Sequence, residues 1–257
     1  MSIKNKLKKI AFDILRPIRD CAYLFWFRPR VSVIMSIYNG ERFLGQALES
    51  IFKQTYRPFE VIVVDDGSSD NSAKVIQSFP RVKYFYQTNS GAGAARNFGI
   101  SKSRGDFIAF LDQDDLWAPN KLKIQLLYML KHPQVDYLFA KQLIFIEPEA
   151  KLPSALIKRW LNQKDLQKPH TGYLPGTLLA RKSTFMKFGY FDPSYKGTSD
   201  AEWFFRIKDL GAKMEILPQV LLHKRFHESN HCYQTDVSDR EFLRLVESSI
   251  KRRLSKG

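Results

Sequence analysis

The sequence predicts an α/β fold with a mostly parallel, Rossmann-like sheet sandwiched by helices. Strand-like and helix-like segments alternate from residue 31 onward, and this alternation is typical of parallel strands joined by right-handed helical crossovers. Residues 61–64 and 107–111 are uninterrupted apolar runs, as expected of strands buried on both faces. With 257 residues, 44% of them apolar, the chain can build one large domain.

The elements follow from local patterns in chain order. The predicted strands of the first half are residues 31–37, 59–64, 82–86 and 107–111, which are rich in β-branched and aromatic residues. The predicted helices between them are 41–53, a helix capped by Ser68 or Ser69 and ending near 78, and 92–103. In the second half we expect a strand at 137–146, a helix at 200–210 that stops at Gly211, and a strand at 220–222.

Both ends of the chain are basic. There are 41 Lys and Arg against 26 Asp and Glu, a net charge of +15. We divide the chain into a basic amphipathic N-terminal segment (1–30), a central α/β domain (31–230) and a basic helical C-terminal tail (231–257). Two cysteines are too few for a disulfide scaffold. No apolar run approaches the ~20 residues of a membrane span and no signal peptide is recognisable, so a cytoplasmic protein is expected.

The N-terminal segment has two interpretations. Its apolar residues recur at helical spacing, at Ile3, Leu7, Ile10, Ile14 and Ile18, and an aromatic cluster follows at 23–27. This composition is typical of a helix on the inner face of an anionic membrane. An amphipathic helix packed on its own domain would show the same pattern.

Two acidic clusters follow two of the predicted strands directly. Asp65 and Asp66 follow one apolar run, and residues 112–115, with the sequence Asp-Gln-Asp-Asp, follow another. Open α/β sheets hold their ligands at the carboxyl ends of the strands. The first cluster could equally be an ordinary turn, because Asp, Gly and Ser all favour turns. Three carboxylates in four residues repel one another unless a cation offsets them, which favours Mn²⁺ or Mg²⁺.

Five motifs carry a family resemblance. They lie in order at residues 33–39, 63–70, 93–97, 105–115 and 198–203. Together they resemble the motifs of family 2 glycosyltransferases with the GT-A fold, over residues 31–230. The resemblance implies a GT-A type sheet and an inverting, hexosyltransferase-type enzyme. Such an enzyme moves a sugar from a nucleotide diphosphate sugar, here expected to be a UDP-sugar, to a hydroxyl acceptor.

The resemblance also implies residues that hold the donor. The loop around Ser36, Tyr38 and Glu41 would flank the nucleoside. Asp66 would donate or accept a hydrogen bond with the base, and Asp65 would lie beside it. The remaining donor-side residues are assigned as follows: Arg96 to the nucleotide, Asp112 to the ribose, Asp114 to the metal on the diphosphate, and Arg225 and His227 to the diphosphate.

The expected general base lies near the last motif. The family position corresponds to Asp200, but the residue before it is Ser199, where the family usually has Glu, so Glu202 is a possible substitute. Asp200 could also be only the N-cap of its helix. Residues 147–170 carry no family motif and are expected to bind the acceptor, which could be lipid-linked in surface glycan or glycolipid assembly.

Other classes fit the sequence less well. No nucleic-acid motif accompanies the high charge, and the central clusters are acidic, so nucleic acid is not an expected partner. A nucleotidyltransferase would open with a glycine-rich basic loop, whereas residues 36–41 read Ser-Ile-Tyr-Asn-Gly-Glu. A catalytically inactive scaffold at a membrane surface remains as an alternative.

Overall fold

The computed structural model describes residue 24 and residues 28–148, 150, 168–228, 230 and 235–255. The strands are β1 (Val31–Ile37), β2 (Glu60–Asp65), β3 (Val82–Tyr86), β4 (Phe107–Phe110), β5 (Leu116–Trp117), β6 (Tyr137–Ile146), β7 (His170–Thr171), β8 (Leu179–Arg181) and β9 (Met214–Phe226). The helices are α1 (Leu44–Phe52), α2 (Ser72–Gln77), α3 (Ala92–Lys102), α4 (Lys121–Lys131), α5 (Lys182–Phe188), α6 (Ser199–Asp209) and α7 (Thr235–Leu254), and a 3-10 turn covers Pro175–Thr177.

The described strands form one mixed sheet, in the order β3-β2-β1-β4-β8-β6-β9-β5, with β7 added beside β6. β1 pairs in parallel with β2 and β4, and β2 pairs in parallel with β3. β8 is antiparallel to both β4 and β6, and β9 is parallel to β6. The carboxyl ends of β1, β2, β4, β6 and β9 therefore meet at one edge of the sheet. The predicted α/β class with a mostly parallel sheet is confirmed.

Apolar clusters cover both faces of the sheet. One includes Leu44, Leu48 and Ile51 of α1, whose spacing places them on a single helix face. The other includes Trp203, Phe204 and Ile207 of α6. Gly99 lies where α3 crosses β1, and an added Cβ would collide with the side chain of Ile34. Glycine is therefore what allows this helix to approach the sheet so closely.

Three local predictions were wrong. α2 begins after Asn71 rather than after a serine cap, because the Ser68 hydroxyl accepts a hydrogen bond from the Asn39 N–H instead. α1 begins at Leu44 rather than 41, because the preceding residues form a turn. The strand expected at 220–222 extends over Met214–Phe226, so the basic residues 223–225 lie inside it.

The N-terminal expectations are mostly outside the described residues. Leu24 is described, and it is 8% exposed and packs in the core. Of the two interpretations of the N-terminal segment, this residue agrees with packing on the domain and not with a place at the membrane boundary. The rest of the stripe and cluster, and most of the predicted acceptor-binding stretch, lie outside the described ranges. No helix among the described residues is both long enough and apolar enough to cross a bilayer.

Candidate active site

The first carboxylate after β4 is held by an arginine of α3. Arg96 Nη2 donates to Asp112 Oδ1 over 2.9 Å, and Arg96 is buried. Its guanidinium also lies 5.9 Å from the centroid of the Phe191 ring. The structure thus brings together two residues predicted to contact the nucleotide.

Asp114 contacts the segment that follows β9. The Nε2 atom of His227 lies 3.1 Å from Asp114 Oδ2, and Asn230 Nδ2 donates to the same oxygen over 3.0 Å. Burial tends to raise the pKa of Asp114, but the His227 hydrogen bond and the charges of Lys224 and His227 lower it below its usual value. Asp114 is therefore favoured as a carboxylate.

Asp115 is fully buried beside it. Its Oδ1 accepts from the Arg225 N–H over 2.9 Å, and its Oδ2 lies 3.8 Å from Lys224 Nζ. Burial raises the pKa of Asp115 to about 8, opposed by Lys224 and reinforced by the neighbouring carboxylates Asp112 and Asp114. This side chain ties β9 to the acidic loop and has no exposed surface for a ligand.

Arg225 is buried and engaged by the protein itself. Its guanidinium lies over two rings, 4.4 Å from Phe43 and 4.8 Å from Phe145. Its side-chain nitrogens donate to the Asp114 carbonyl, the Gln46 side chain and the Glu147 carboxylate. This environment differs from the expected contact with a diphosphate and makes Arg225 a support of the Asp114 backbone.

The loops after β1 and β2 are bonded to each other. Asn39 Oδ1 accepts from the Ser69 N–H over 2.8 Å, and Glu41 Oε2 accepts from the Asn71 N–H over 2.8 Å. In return, Asp70 Oδ2 accepts from the Glu41 N–H over 2.9 Å. Glu41, predicted to flank the nucleoside, thus holds the neighbouring loop.

Gln113 is a site residue to which sequence reasoning gave no role. Its Oε1 accepts from the Tyr38 N–H over 2.8 Å, and its Nε2 donates to the Tyr38 carbonyl over 2.9 Å. Any side chain at Gly40 would collide with Gln113. The Tyr38 side chain is 43% exposed at this edge, and Ser36 is partly buried within β1. Only the position of Gln113 within the acidic motif could have suggested its importance.

The two carboxylates at the carboxyl end of β2, Asp65 as its last residue and Asp66 directly after it, are buried and hydrogen-bonded. Asp65 accepts from the Ser68 N–H and the Tyr84 hydroxyl, each over 2.8 Å. Asp66 accepts from Gln87 Nε2 over 2.7 Å and from the backbone N–H groups of Ser90 and Gly91 over 2.8 Å. The two carboxylates shape the loops that lead into α2 and α3, which agrees with the turn interpretation.

Asp200 lies in the first turn of α6. The N-cap is Thr198, so the interpretation of Asp200 as the cap is wrong. The Asp200 Oδ1 atom accepts a hydrogen bond from the Ala201 N–H over 2.8 Å. Burial raises the pKa of Asp200, the charge of Arg96 opposes that rise, and the charge of Asp112 adds to it. The start of α6 packs on α3, the helix of Arg96, because an added Cβ at Gly93 would collide with the Ser199 side chain.

Glu202 has a different environment from Asp200. Both of its oxygens pair with Arg206, over 2.7 Å from Nε and 3.1 Å from Nη2. Arg206 also donates to the backbone carbonyls of Phe188 and Tyr190. Glu202 is therefore part of a buried network that joins α6 to the residues after α5.

The loop before α6 is held by a carboxylate from the C-terminal helix. Glu241 of α7 accepts from the N–H groups of Lys196, Gly197 and Thr198 over 2.6, 3.0 and 3.0 Å. It also accepts from the Thr198 hydroxyl over 2.9 Å. Sequence reasoning did not find this residue, because nothing in a basic helix indicates which distant loop it will contact.

Comparison with known proteins identifies the family. The family model described as glycosyl transferase family 2 matches residues 32–192. The chain belongs to glycosyl transferase family 2. The match ends before α6, so Asp200, the network around Glu202 and the whole of α7 lie beyond the part of the chain that the family model covers.

Curated relatives agree with this family, and a solved structure shares the fold. A glycosyltransferase of Rickettsia typhi is 29% identical over 241 residues, covering 90% of this chain and 74% of its own. The Escherichia coli enzyme WfgD, a UDP-Glc:alpha-D-GlcNAc-diphosphoundecaprenol beta-1,3-glucosyltransferase, is 43% identical over 105 residues, covering 40% of this chain and 42% of its own. Residues 1–349 of Staphylococcus aureus TarS, in complex with UDP-GlcNAc, align with a TM-score of 0.68 and 23% identity, over 87% of this chain and 66% of that one.

The chain matches only part of the length of several relatives. The chain spans only 38% of the length of two rickettsial glycosyltransferases that it matches at 30% identity. The TarS alignment supports the GT-A-like fold. Family membership decides against the nucleotidyltransferase alternative.

Proposed function

We propose that this protein transfers a sugar from a UDP-sugar to a hydroxyl acceptor, with inversion at the anomeric carbon and dependence on a divalent cation. One observation carries the proposal. Two acidic groups after β4, Asp112 paired with Arg96 and Asp114 beside His227, lie at the edge of the sheet, and the start of α6, which carries Asp200, packs on the helix of Arg96. A leaving diphosphate and an attacking hydroxyl require such groups on opposite sides of one sugar.

The residues around Asp114 fit a hard divalent cation. The carboxylate is 18% exposed and favoured in its charged form, and Mn²⁺ or Mg²⁺ binds one or two carboxylates together with substrate phosphates. No group of three or more His, Cys, Asp or Glu side chains in the described ranges is arranged as a metal site. Asp114 would therefore hold the cation together with diphosphate oxygens, with His227 and Asn230 orienting the carboxylate. When bound, the cation supplies positive charge beside the leaving diphosphate.

The donor is assigned to the loops after β1, β2 and β4. The exposed Tyr38 ring offers a surface for the nucleoside, held by Gln113 and the bonded loops. Arg96 fixes the Asp112 carboxylate toward the ribose. A uridine donor is supported by the UDP-Glc that WfgD uses and by the UDP-GlcNAc bound to TarS.

Asp200 is assigned as the general base. A carboxylate with a raised pKa takes a proton from a hydroxyl more readily than an ordinary aspartate. The proton would move to the carboxylate as the hydroxyl attacks from the side opposite the diphosphate, which inverts the anomeric centre. Glu202 is the weaker candidate, because both of its oxygens are paired with Arg206.

The acceptor is proposed to be lipid-linked, in assembly of a surface glycan or glycolipid. The support is the diphosphoundecaprenol acceptor in the name of WfgD and the basic, amphipathic pattern of residues 1–30. Liposome flotation of the whole chain and of a chain starting at Pro29 tests that segment. Equal flotation of the two chains would contradict a membrane role for residues 1–30.

Titration calorimetry tests the donor and the cation together. We expect UDP to bind in Mn²⁺ or Mg²⁺ and to bind at least tenfold more weakly in EDTA, and GDP to bind more weakly than UDP. A screen of UDP-sugars for release of UDP would then identify the donor. Failure to bind any nucleotide would overturn the proposal and leave the inactive scaffold.

A further inference from the structure

The C-terminal helix α7 has an inner face on the protein and an apolar outer face. On the inner face, Leu245 is fully buried and Ser249 is 5% exposed. On the outer face, Leu243, Ile250 and Leu254 are 66, 52 and 77% exposed. Large apolar side chains exposed this fully in one group mark an interaction surface more often than chance.

These exposed residues form one row. On a helix with 3.6 residues per turn, positions 243, 250 and 254 point within about 40° of one another. Phe242, 48% exposed, lies about 100° around the helix from this row, and its ring centroid is 6.4 Å from that of Phe205 in α6. We call the three residues that share this direction, Leu243, Ile250 and Leu254, the outer row.

A basic row runs beside the outer row. Arg240, Arg244 and Lys251 are exposed, and on the same helix they also point within about 40° of one another, roughly a quarter turn from the apolar residues. Glu247 is the exposed acidic residue between the two rows. An apolar row flanked by Lys and Arg is the pattern of a helix lying in a membrane interface.

We propose that the outer row of α7 docks on an anionic lipid bilayer, with Arg240 and Lys251 at the headgroups, whereas Arg244 bonds Ser194 and lies over the Tyr195 ring. The positive charge of α7 favours a lipid bilayer over a second copy of the chain as the partner of the outer row. A second copy of the chain docked through the same row would bring two basic rows together within a protein of net charge +15. An anionic surface instead attracts these residues, and apolar side chains on a convex helix can enter the boundary of the acyl chains.

The position of α7 gives this docking a consequence for the reaction. Glu241 holds the loop before α6, and Ser249 and Arg253 bond Asp209 at the end of α6, over 2.6 and 2.8 Å. The two helices therefore run side by side in the same direction. A bilayer on the outer row would run parallel to α6, with α7 between the lipid and the helix that carries Asp200. This consequence rests on the proposed function, whereas the docking does not.

Vesicle flotation tests the docking on the full chain. The probes are phosphatidylcholine vesicles with and without phosphatidylglycerol. We expect the wild type to float with the anionic vesicles, and the triple variant L243Q/I250Q/L254Q to bind at least about tenfold less. R240Q/K251Q should lose binding mainly at low salt, because screening weakens the wild type at high salt. Met186→Gln, which changes an isolated apolar residue that is 72% exposed, should float like the wild type.

Each other outcome contradicts the proposal. If the triple variant floats like the wild type, or the wild type does not float, the outer row does not bind lipid. If light scattering shows a wild-type dimer that the triple variant breaks, the row is an interface between copies.

Circular dichroism should show unchanged helix content in the triple variant, because these side chains point away from the protein. Flotation needs no turnover, so its failure would leave the proposed transfer reaction standing.

Discussion

The donor-side loops and the helix that carries Asp200 are built in contrasting ways. The loops after β1, β2 and β4 are held by side chains from residues 39–113, bonded to one another across the carboxyl edge of the sheet. α6 is held at both of its ends by α7, through Glu241 before it and Asp209 at its end. The first region lies inside the residues matched by the family model, and α6 and α7 lie beyond them.

This difference indicates which parts of the enzyme are self-contained. Donor-side geometry depends on bonds between neighbouring strand ends, so it is fixed once the sheet forms. The position of Asp200 depends also on a helix that begins 26 residues after α6 ends. Changes at the donor side should therefore affect nucleotide binding, and changes in α7 should affect transfer while leaving nucleotide binding intact.

The largest effect is expected at Asp114. Asp114→Asn removes the charge assigned to the cation, and turnover should fall by at least ~10³-fold because metal stabilisation is worth several kcal/mol. EDTA should lower wild-type turnover in the same way. The measurement is UDP release at saturating donor and added Mn²⁺.

Asp106→Asn is the matched control for the metal. Asp106 lies at the opposite end of β4 from Asp114, in an exposed ion pair with Arg30 at 3.1 Å. The Asp106→Asn variant should keep full activity. Turnover by Asp114→Asn at the wild-type rate, or full wild-type activity in EDTA, would remove the metal from the donor side.

The second-largest effect is expected at Asp200, which lies on α6 and not in the donor-side loops. Asp200→Asn should lower transfer by ~10²–10⁴-fold, the range for loss of a general base, while UDP binding measured by calorimetry stays within about twofold. Glu202→Gln should instead lower thermal stability, because it breaks the pairing with Arg206. A larger catalytic loss from Glu202→Gln would identify Glu202 as the base.

The pH profile sharpens the assignment of Asp200. A base is active when deprotonated, so the transfer rate should rise with pH through the pKa of Asp200. Because burial raises that pKa, the acid limb should lie above the ~3.9 of a free aspartate. The limb should disappear in Asp200→Asn. A limb that persists unchanged in that variant would belong to another group.

The sequence predicted most of the donor side and little of its support. Strand runs followed at once by Asp65 and Asp112 place carboxylates at strand ends, because periodicity and topology depend on local residues. The partners of those groups could not be predicted in the same way. Arg225 was expected at a ligand and is instead enclosed by Phe43 and Phe145, since cation–π packing depends on residues far apart in the sequence.

The support of α6 was even less predictable. A glutamate in a basic helix, such as Glu241, is an ordinary solvated residue until the tertiary structure places it against a loop. The Asp200 side chain itself was located correctly on a helix, and its helix begins one residue earlier than expected. Local patterns therefore identified candidate reactive groups, and only the fold identified the residues that position them.

An intermediate effect is expected from Glu241. Glu241→Ala removes the acceptor of three N–H groups and one hydroxyl in the loop before α6, so kcat should fall by ~10–100-fold as Asp200 loses its position. The KM for the UDP-sugar should change by less than about threefold, because the donor-side bonds are intact. Glu241→Gln retains a side-chain acceptor and should recover part of kcat.

Ser249→Ala is the matched control for Glu241. It removes the 2.6 Å bond from α7 to Asp209 at the far end of α6. The Ser249→Ala variant should lower the free energy of unfolding by ~1 kcal/mol, the typical loss for one hydrogen bond. Its kcat should stay within about twofold of the wild type. If Ser249→Ala and Glu241→Ala lower kcat equally, α7 supports α6 as a whole and Glu241 has no special role.

The smallest effect is expected from Gln113, on the donor side. Gln113→Ala removes both hydrogen bonds to the Tyr38 backbone, which should raise the donor KM by ~3–10-fold and leave kcat within about twofold, since each net bond contributes ~0.5–1.5 kcal/mol. Ser101→Ala, which removes a local bond on the exposed side of α3, should change neither constant. This pattern is the reverse of that expected for Glu241→Ala. A fall in kcat with an unchanged KM in Gln113→Ala would mean that the two regions are coupled, and that the donor loops also position the acceptor side.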